Sequence, residues 1–148
     1  DGEMKTELKL LTKSLKLDEY VYFLGSRDDV PAILTKTNIY VQPSLIENQP
    51  LSLIEAQLSG KPSIVSNVGG LPEMVEHNVT GLIVEPEDVY GLFSGLNRIL
   101  SDNVLAKNLG ENAKKWGMTH WSLEMGVRKL LELYEETISM KKVGNSNE

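Results

Sequence analysis

The chain has 148 residues, 41% of them apolar and 24% charged, with a formal net charge of −6. That length and balance fit one domain of an ordinary globular protein, and the negative charge argues against a nucleic-acid binder or a protein drawn to an anionic membrane surface. Cysteine is absent, which excludes disulfides, cysteine-ligated zinc or iron–sulfur sites and a cysteine nucleophile.

Met4, Leu8, Leu11 and Leu15 recur at helical spacing and predict a helix over 3–17. Tyr20–Leu24 is a β-rich run closed by Gly25 and predicts a strand. A turn at Ser26–Asp29 leads to a short helix opened by Val30-Pro31, with Ile33 and Leu34 inward. Asn38–Gln42 reads as a second strand, broken by Pro43-Ser44. Pro50–Ser59 reads as a helix, with proline at its start and Gly60 just past its end. Its expected apolar stripe is Leu51, Ile54 and Leu58. Pro62–Ser66 and Gly81–Val84 are the third and fourth strands, with a short helix at Pro72–Glu76 between them. Val89–Leu100, Val104–Trp116 and Trp121–Lys141 are helical, the last carrying Met125, Leu130, Leu131, Tyr134 and Ile138. Trp116, Trp121 and Tyr134 are expected core anchors, and His77 and His120 surface residues. Lys142–Glu148 is a polar tail expected to be disordered.

Strands alternating with helices imply an α/β fold, a parallel sheet with helices on both faces. Four short strands are few for such a sheet, and the chain opens in a helix. The expected organisation is one domain over residues 1–141 whose first strand or strands are missing, followed by the tail at 142–148. No apolar run approaches the roughly 18 residues that span a bilayer. Asp1-Gly2-Glu3 is not signal-like, so the expected compartment is the cytosol.

In open α/β sheets, ligands bind beyond the carboxyl ends of the strands. Three such ends are candidates: Gly25-Ser26-Arg27, Pro43 to Pro50, and Ser66 to Gly70. The middle run leaves a strand and enters a helix whose first N–H groups and positive dipole end suit a phosphate. Pro50 has no N–H, so Leu51 and Ser52 are the better donors. Glu47 precedes that anion seat. A carboxylate beside a phosphate is repelled, so Glu47 is better placed to face hydroxyl groups. Glu55 is either an ordinary solvated glutamate or one satisfied by two hydroxyls such as those of a ribose. Gly69-Gly70 either lets the backbone approach a ligand or is a plain turn. Arg27 either lines the cleft or pairs with Asp28 or Asp29. Asn78-Val79-Thr80 matches a glycosylation acceptor, which matters only in a secreted protein. No Walker loop, G-x-G-x-x-G, G-x-S-x-G, HExxH or Asp-x-Asp pair occurs.

The run Pro43-Ser44-x-x-Glu47-x-x-Pro50, Glu55-Ala56, Gly60-x-Pro62, Gly69-Gly70-x-x-Glu73 closely resembles the donor-binding motif of glycosyltransferase family four, retaining enzymes of the GT-B fold. Glu47 and Glu55, with seven residues between them, match its paired glutamates. Tyr22–Gly25, Thr80–Val84 and His120–Ser122 agree on either side, so the resemblance covers residues 1–138 approximately.

The resemblance implies two Rossmann-like domains with the active site between them, this chain being the C-terminal, nucleotide-sugar-binding one. It implies that Glu55 holds the ribose hydroxyls and Glu47 contacts the transferred sugar. Backbone around Asn48, Gln49, Pro50, Leu51 and Ser52 cradles the sugar and the distal phosphate. Ser26 and Arg27 lie near the base, and Gly69 and Gly70 line the cleft. No metal or other cofactor is required on this reading, because amides and positive groups stabilise the leaving diphosphate. Asn48-Gln49 replaces the small or apolar residues common after the first glutamate. The family's acceptor domain is absent, as are the Arg and Lys that neutralise the diphosphate. The chain is therefore expected to be an incomplete donor-binding piece of a parent enzyme that builds a glycan or glycoconjugate, at the cytosolic face of a membrane or in the cytosol. The alternative is a stand-alone nucleotide- or sugar-phosphate-binding module without catalysis. A related epimerase lacks this pairing of glutamates.

Overall fold

The computed structural model describes residues 2–144, with side chains at 139 and 141–144 left out of the description. It divides into two compact units, one ending at Ile33 and the other starting at Leu34.

The first unit holds helix α1 (Lys5–Ser14). The helix stops three residues before the expected Leu17. Lys16 takes a left-handed φ of 56°, its N–H bonds to Lys13 O, and the Leu17 N–H reaches back to Thr12 O. That double closure satisfies the last carbonyls of the helix. Met4, Leu8, Leu11 and Leu15 are exposed. Tyr20–Leu24 is not a strand: residues 21–25 have no regular structure and pair with no strand among the described residues. β-rich side chains favour a pleated surface, but only a partner strand makes one. Helix α2 (Val30–Lys36) runs across the division and buries Leu34.

The second unit is built on strands β1 (Tyr40–Gln42), β2 (Ser63–Ser66) and β3 (Gly81–Val84). They form a parallel sheet in the order β1-β2-β3, with Tyr40 opposite Ser63 and Ser63 opposite Gly81. Three strands among the described residues, rather than four, follow from the unpaired Tyr20–Leu24. Between them run α3 (Leu51–Leu58) and α4 (Leu71–Met74), then α5 (Val89–Ser101), α6 (Asn103–His120) and α7 (Leu123–Gly144) follow β3.

Side chains alternate across a strand, so each strand feeds both faces. On one face Val65 and Ile83 join Leu53, Leu71, Met74 and Val75, with Tyr40 and Trp121 against them. On the other, Ile64 and Leu82 meet Ile99 of α5 and Leu109 of α6. Helices thus cover both faces, as expected. The ends of α3 are where the sequence placed them: Pro50 caps its start, and Gly60, at φ 69°, closes it, its own N–H bonding to Gln57 O and the Lys61 N–H to Ala56 O.

The inward stripe of α3 differs from the expected one. Leu53, Ala56 and Gln57 are buried, whereas Leu51 and Leu58 are exposed. Gln57 is inside because it has two partners there. Its Nε2 donates to Met74 O at 2.6 Å, and its Oε1 accepts from Trp121 Nε1 at 2.9 Å. One buried amide therefore ties α3 to α4 and to the end of α6.

Of the expected anchors, Trp121 packs against the first cluster and Trp116 is half-buried, its ring stacked on His120 at 3.9 Å. Tyr134 is 55% exposed and anchors nothing, and Leu130, Leu131 and Ile138 of α7 are exposed with it. His77 and His120 are exposed. α7 continues to Gly144, so residues 142–144 of the expected tail are helical, and residues 145–148 lie outside the described residues. Asn78 sits in a tight turn at φ 66°, where its Oδ1 accepts from Arg98 Nη1 at 2.5 Å, while Thr80 is buried and its Oγ1 accepts from the Glu76 N–H.

Replacing Gln57 by leucine keeps the volume but strands the Met74 carbonyl and the Trp121 indole N–H. Each unsatisfied buried group costs about 1–3 kcal/mol. Urea denaturation of Gln57→Leu is expected to show a stability loss in that range or above; an unchanged midpoint contradicts the bridging role.

Candidate functional site

The three carboxyl ends of the sheet open onto the loop 43–50, the first turn of α3 and the turn after β2. Tyr40 and Gln42, two residues apart on β1, project to the α3 side of the sheet. Gln42 is the last residue of the strand, and Pro43 ends the ladder there. The chain then doubles over and brings Glu47 back to Gln42. Gln42 Nε2 donates to Glu47 Oε2 at 2.9 Å and to Ser44 Oγ at 3.0 Å. The other Glu47 oxygen, Oε1, accepts the Asn48 N–H at 3.1 Å. Gln42 Oε1 accepts from the Tyr40 hydroxyl, and Ser52 Oγ lies 2.8 Å from the Tyr40 oxygen and 3.5 Å from Gln42 Oε1, with one proton to give to either.

Ser52 lies in the first turn of α3. Within that turn the earliest intrahelical bonds come from Leu53 and Ile54, both to Pro50 O. No side chain caps the helix. Among the described residues, no acceptor meets the N–H of Leu51 or Ser52. These are the orphan donors of a helix N-terminus, on the end that carries its partial positive charge. Glu55, three residues after Ser52, projects from the same outer face and is exposed.

Burial raises the Tyr40 hydroxyl above its ordinary value of 10.0. The hydrogen bond from Ser52 pulls it the other way, and the charges of Glu47 and Glu55 push it further up. Both carboxylates therefore act on one phenol.

Gly69 and Gly70 have a structural task at this site. At Gly69 φ is 51°, and a Cβ there lies 1.7 Å from the Glu47 carbonyl oxygen. A Cβ on Gly70 lies 2.3 Å from Asn48 O. The Gly-Gly turn thus packs directly on the backbone of the Glu47 loop. Its close approach is to the protein's own chain, which is a more specific role than either a plain turn or a ligand contact.

Glu47, Asn48, Leu51, Ser52, Gly69 and Gly70 are thus gathered at one end of the sheet, with Glu55 beside them. Gln49 is exposed on the same loop, and Pro50 caps α3. Ser26 and Arg27 belong to the first unit. There Arg27 is engaged with Asp29, donating Nε and Nη2 to its two oxygens at 2.6 Å each. These hydrogen bonds hold the Asp29 carboxyl below the usual carboxylate range. Sequence reasoning missed Tyr40 and Gln42. The available signal was a pair of polar residues at i and i+2 on one face of a strand, just ahead of a proline. Among the described residues, no group of three or more His, Asp or Glu is placed to hold a metal ion. No helix among them is long and apolar enough to cross a membrane.

Comparison with known proteins fixes the family. The profile of glycosyl transferases group 1 matches residues 1–116. The chain belongs to this family. Its fold, a parallel sheet flanked by helices, is that of GT-B glycosyltransferases. Sucrose-phosphate synthase from Thermosynechococcus elongatus superposes with a TM-score of 0.85 at 30% identity, over 94% of this chain and 35% of that one. The Anabaena protein HepE, in complex with UDP-glucose, superposes with a TM-score of 0.84 at 26% identity, over 91% of this chain and 38% of that one. The UDP-Gal:alpha-D-GlcNAc-diphosphoundecaprenol alpha-1,3-galactosyltransferase of Escherichia coli is 32% identical over 142 residues, which are 95% of this chain and 36% of that protein. The chain therefore spans little more than a third of the length of such family members.

Two outcomes follow from the geometry. Gly69→Ala is expected to unfold the Glu47 loop locally and to cost at least the roughly 1–3 kcal/mol of a strained backbone; a thermal midpoint equal to the wild type contradicts the close packing. The raised Tyr40 value means that the fold favours the neutral phenol. Its contribution is intact below pH about 10 and is lost as pH climbs through the folded-state value. The difference in tyrosinate absorbance between wild type and Tyr40→Phe is expected to have its midpoint above 10, and a midpoint at or below it refutes the burial.

Proposed function

We propose that the chain is the donor-binding part of a glycosyltransferase that moves a sugar from a nucleoside diphosphate to a glycan or glycoconjugate acceptor. The observation that carries this reading is the pairing of unfilled amides at the start of α3 with two carboxylates on either side of it. A diphosphate seats on the amides of Leu51 and Ser52, aided by the helix dipole. Glu55 accepts hydrogen bonds from the ribose hydroxyls. Glu47, ahead of the phosphate seat, faces hydroxyls of the transferred sugar near the reacting carbon. The loop backbone at Asn48, Gln49 and Pro50 encloses that sugar, and Gly69-Gly70 walls the cleft from the other side.

As the sugar–oxygen bond breaks, negative charge accumulates on the diphosphate. Fixed N–H groups aimed at that charge lower the barrier, and removing one such donor from an enzyme site typically costs 10²–10³-fold in rate. This chemistry asks for no metal, and it proceeds with retention at the anomeric carbon in the reading adopted here. The names of the relatives support the donor class, since HepE was solved with UDP-glucose and the E. coli relative is named for UDP-Gal. The acceptor site belongs to a further domain of the parent protein, which works in the cytosol or at the cytosolic face of a membrane.

The test is a thermal-shift screen of UDP, GDP, ADP and TDP with their glucose conjugates. A ligand at 100 times its dissociation constant stabilises by about 2.7 kcal/mol. One nucleotide class is expected to stabilise the wild type and to lose its effect in Glu55→Ala. No shift with any of them, or a shift that Glu55→Ala leaves intact, overturns the donor reading.

A further inference from the structure

We propose that Gln42 is the positioning residue of this site, holding the Glu47 carboxylate in the orientation that meets the transferred sugar. The inference rests on the donor reading above and adds to it a residue outside the motif.

The orientation of the Gln42 amide is forced by its neighbours. An ionised carboxylate only accepts hydrogen bonds, so the group facing Glu47 Oε2 at 2.9 Å is the NH₂. The oxygen then faces the Tyr40 hydroxyl, which donates to it, and that hydroxyl is in turn bonded to Ser52 at 2.8 Å. Ser44 takes the second N–H of the amide. All the hydrogen-bonding capacity that Gln42 turns toward this cluster is engaged. Its backbone is held as well: it sits in the β1 ladder opposite Val65, and its carbonyl accepts from Ser66 Oγ at 3.5 Å. A side chain fixed on so many sides is a rigid support.

The support acts on one atom. A carboxylate offers about four lone-pair positions. Gln42 takes one on Oε2, and the Asn48 N–H takes one on Oε1. One position on each oxygen stays open for substrate hydroxyls. A neutral donor also fixes the carboxylate without cancelling its charge, as an arginine or lysine in this place would. Through Tyr40 and Ser52 the same amide is joined to the first turn of α3. The group that aims Glu47 is therefore registered to the seat of the phosphate.

The experiment compares wild type, Gln42→Leu and Gln42→Glu by isothermal titration with UDP, GDP, ADP and TDP and with the glucose conjugate of each. A thermal scan of each variant checks folding. Losing one hydrogen bond to a charged group corresponds to roughly tenfold or more in affinity. Gln42→Leu is expected to weaken the sugar conjugate by that factor and the matching free diphosphate by much less. Gln42→Glu, of equal size, places a like charge against Glu47 and is expected to weaken the conjugate further. A loss shared equally by conjugate and diphosphate assigns Gln42 to general support of the loop and overturns the proposal, as does no loss at all. If the wild type binds none of the eight ligands, the donor reading fails and the proposal fails with it. A wild type that binds while Gln42→Leu keeps its preference for the conjugate removes this proposal alone. Should Gln42→Leu not fold, Gln42→Glu carries the comparison. The ligand-free protein gives a further readout: the Gln42 side-chain N–H resonances are expected to move in Glu47→Ala, and resonances that stay in place refute the contact.

Discussion

The site depends on a contact with no side chain in it. The carbonyl oxygen of Glu47 occupies the space that a Cβ at residue 69 would need, and Asn48 O does the same at residue 70. Two successive glycines are therefore the condition under which the loop after β1 can lie on the turn after β2. That packing fixes the backbone at Glu47, and the fixed backbone lets its carboxylate meet Gln42. The distance from loop to strand is thus set by the thickness of a peptide, which varies far less than a side-chain rotamer.

Helix α3 translates this constraint into a working geometry. It is held at its start by the Tyr40–Ser52 bond, in its last turn by Gln57, and just past its end by the left-handed Gly60. Only its inner face is satisfied by the core. Its first amides and its outer face, with Ser52 and Glu55, are left to solvent. A short helix with a tethered body and unfilled leading amides keeps its dipole pointed in one direction, which an electrostatic site requires. The two glutamines divide the labour: Gln57 secures the helix to the protein, and Gln42 aligns what stands in front of it.

Much of this was legible in the sequence where the cause is local. Pro50 and Gly60 bracket α3 because a missing N–H and a left-handed φ are properties of single residues. Gly81–Val84 is a strand in both readings, since turn residues bound it on each side. Glu47, Glu55, Gly69 and Gly70 were legible as a spaced set. The phase of α3 was not. Leu51, Leu53, Ile54, Ala56 and Leu58 are apolar at nearly every step, so periodicity fits more than one face, and the residue that decides it is a buried glutamine. Tyr20–Leu24 has strand composition, but pairing is a property of two segments. The apolar spacing along α7 marks a face without saying what covers it, and Tyr134 and Ile138 are exposed. Gln42 and Tyr40 escaped notice because their meaning lies in partners brought by a chain reversal, five and twelve residues away.

The turn at Asn78 has a consequence for how the chain meets a cell. Asn78-Val79-Thr80 has the form of a glycan acceptor, yet in the fold its amide oxygen is bound by Arg98 and its threonine hydroxyl is sealed inside. Such an acceptor is read through its asparagine and its threonine together. The acceptor is therefore shut once folding is complete. In a secretory host, a sugar on Asn78 would be the mark of a chain modified before Thr80 was buried.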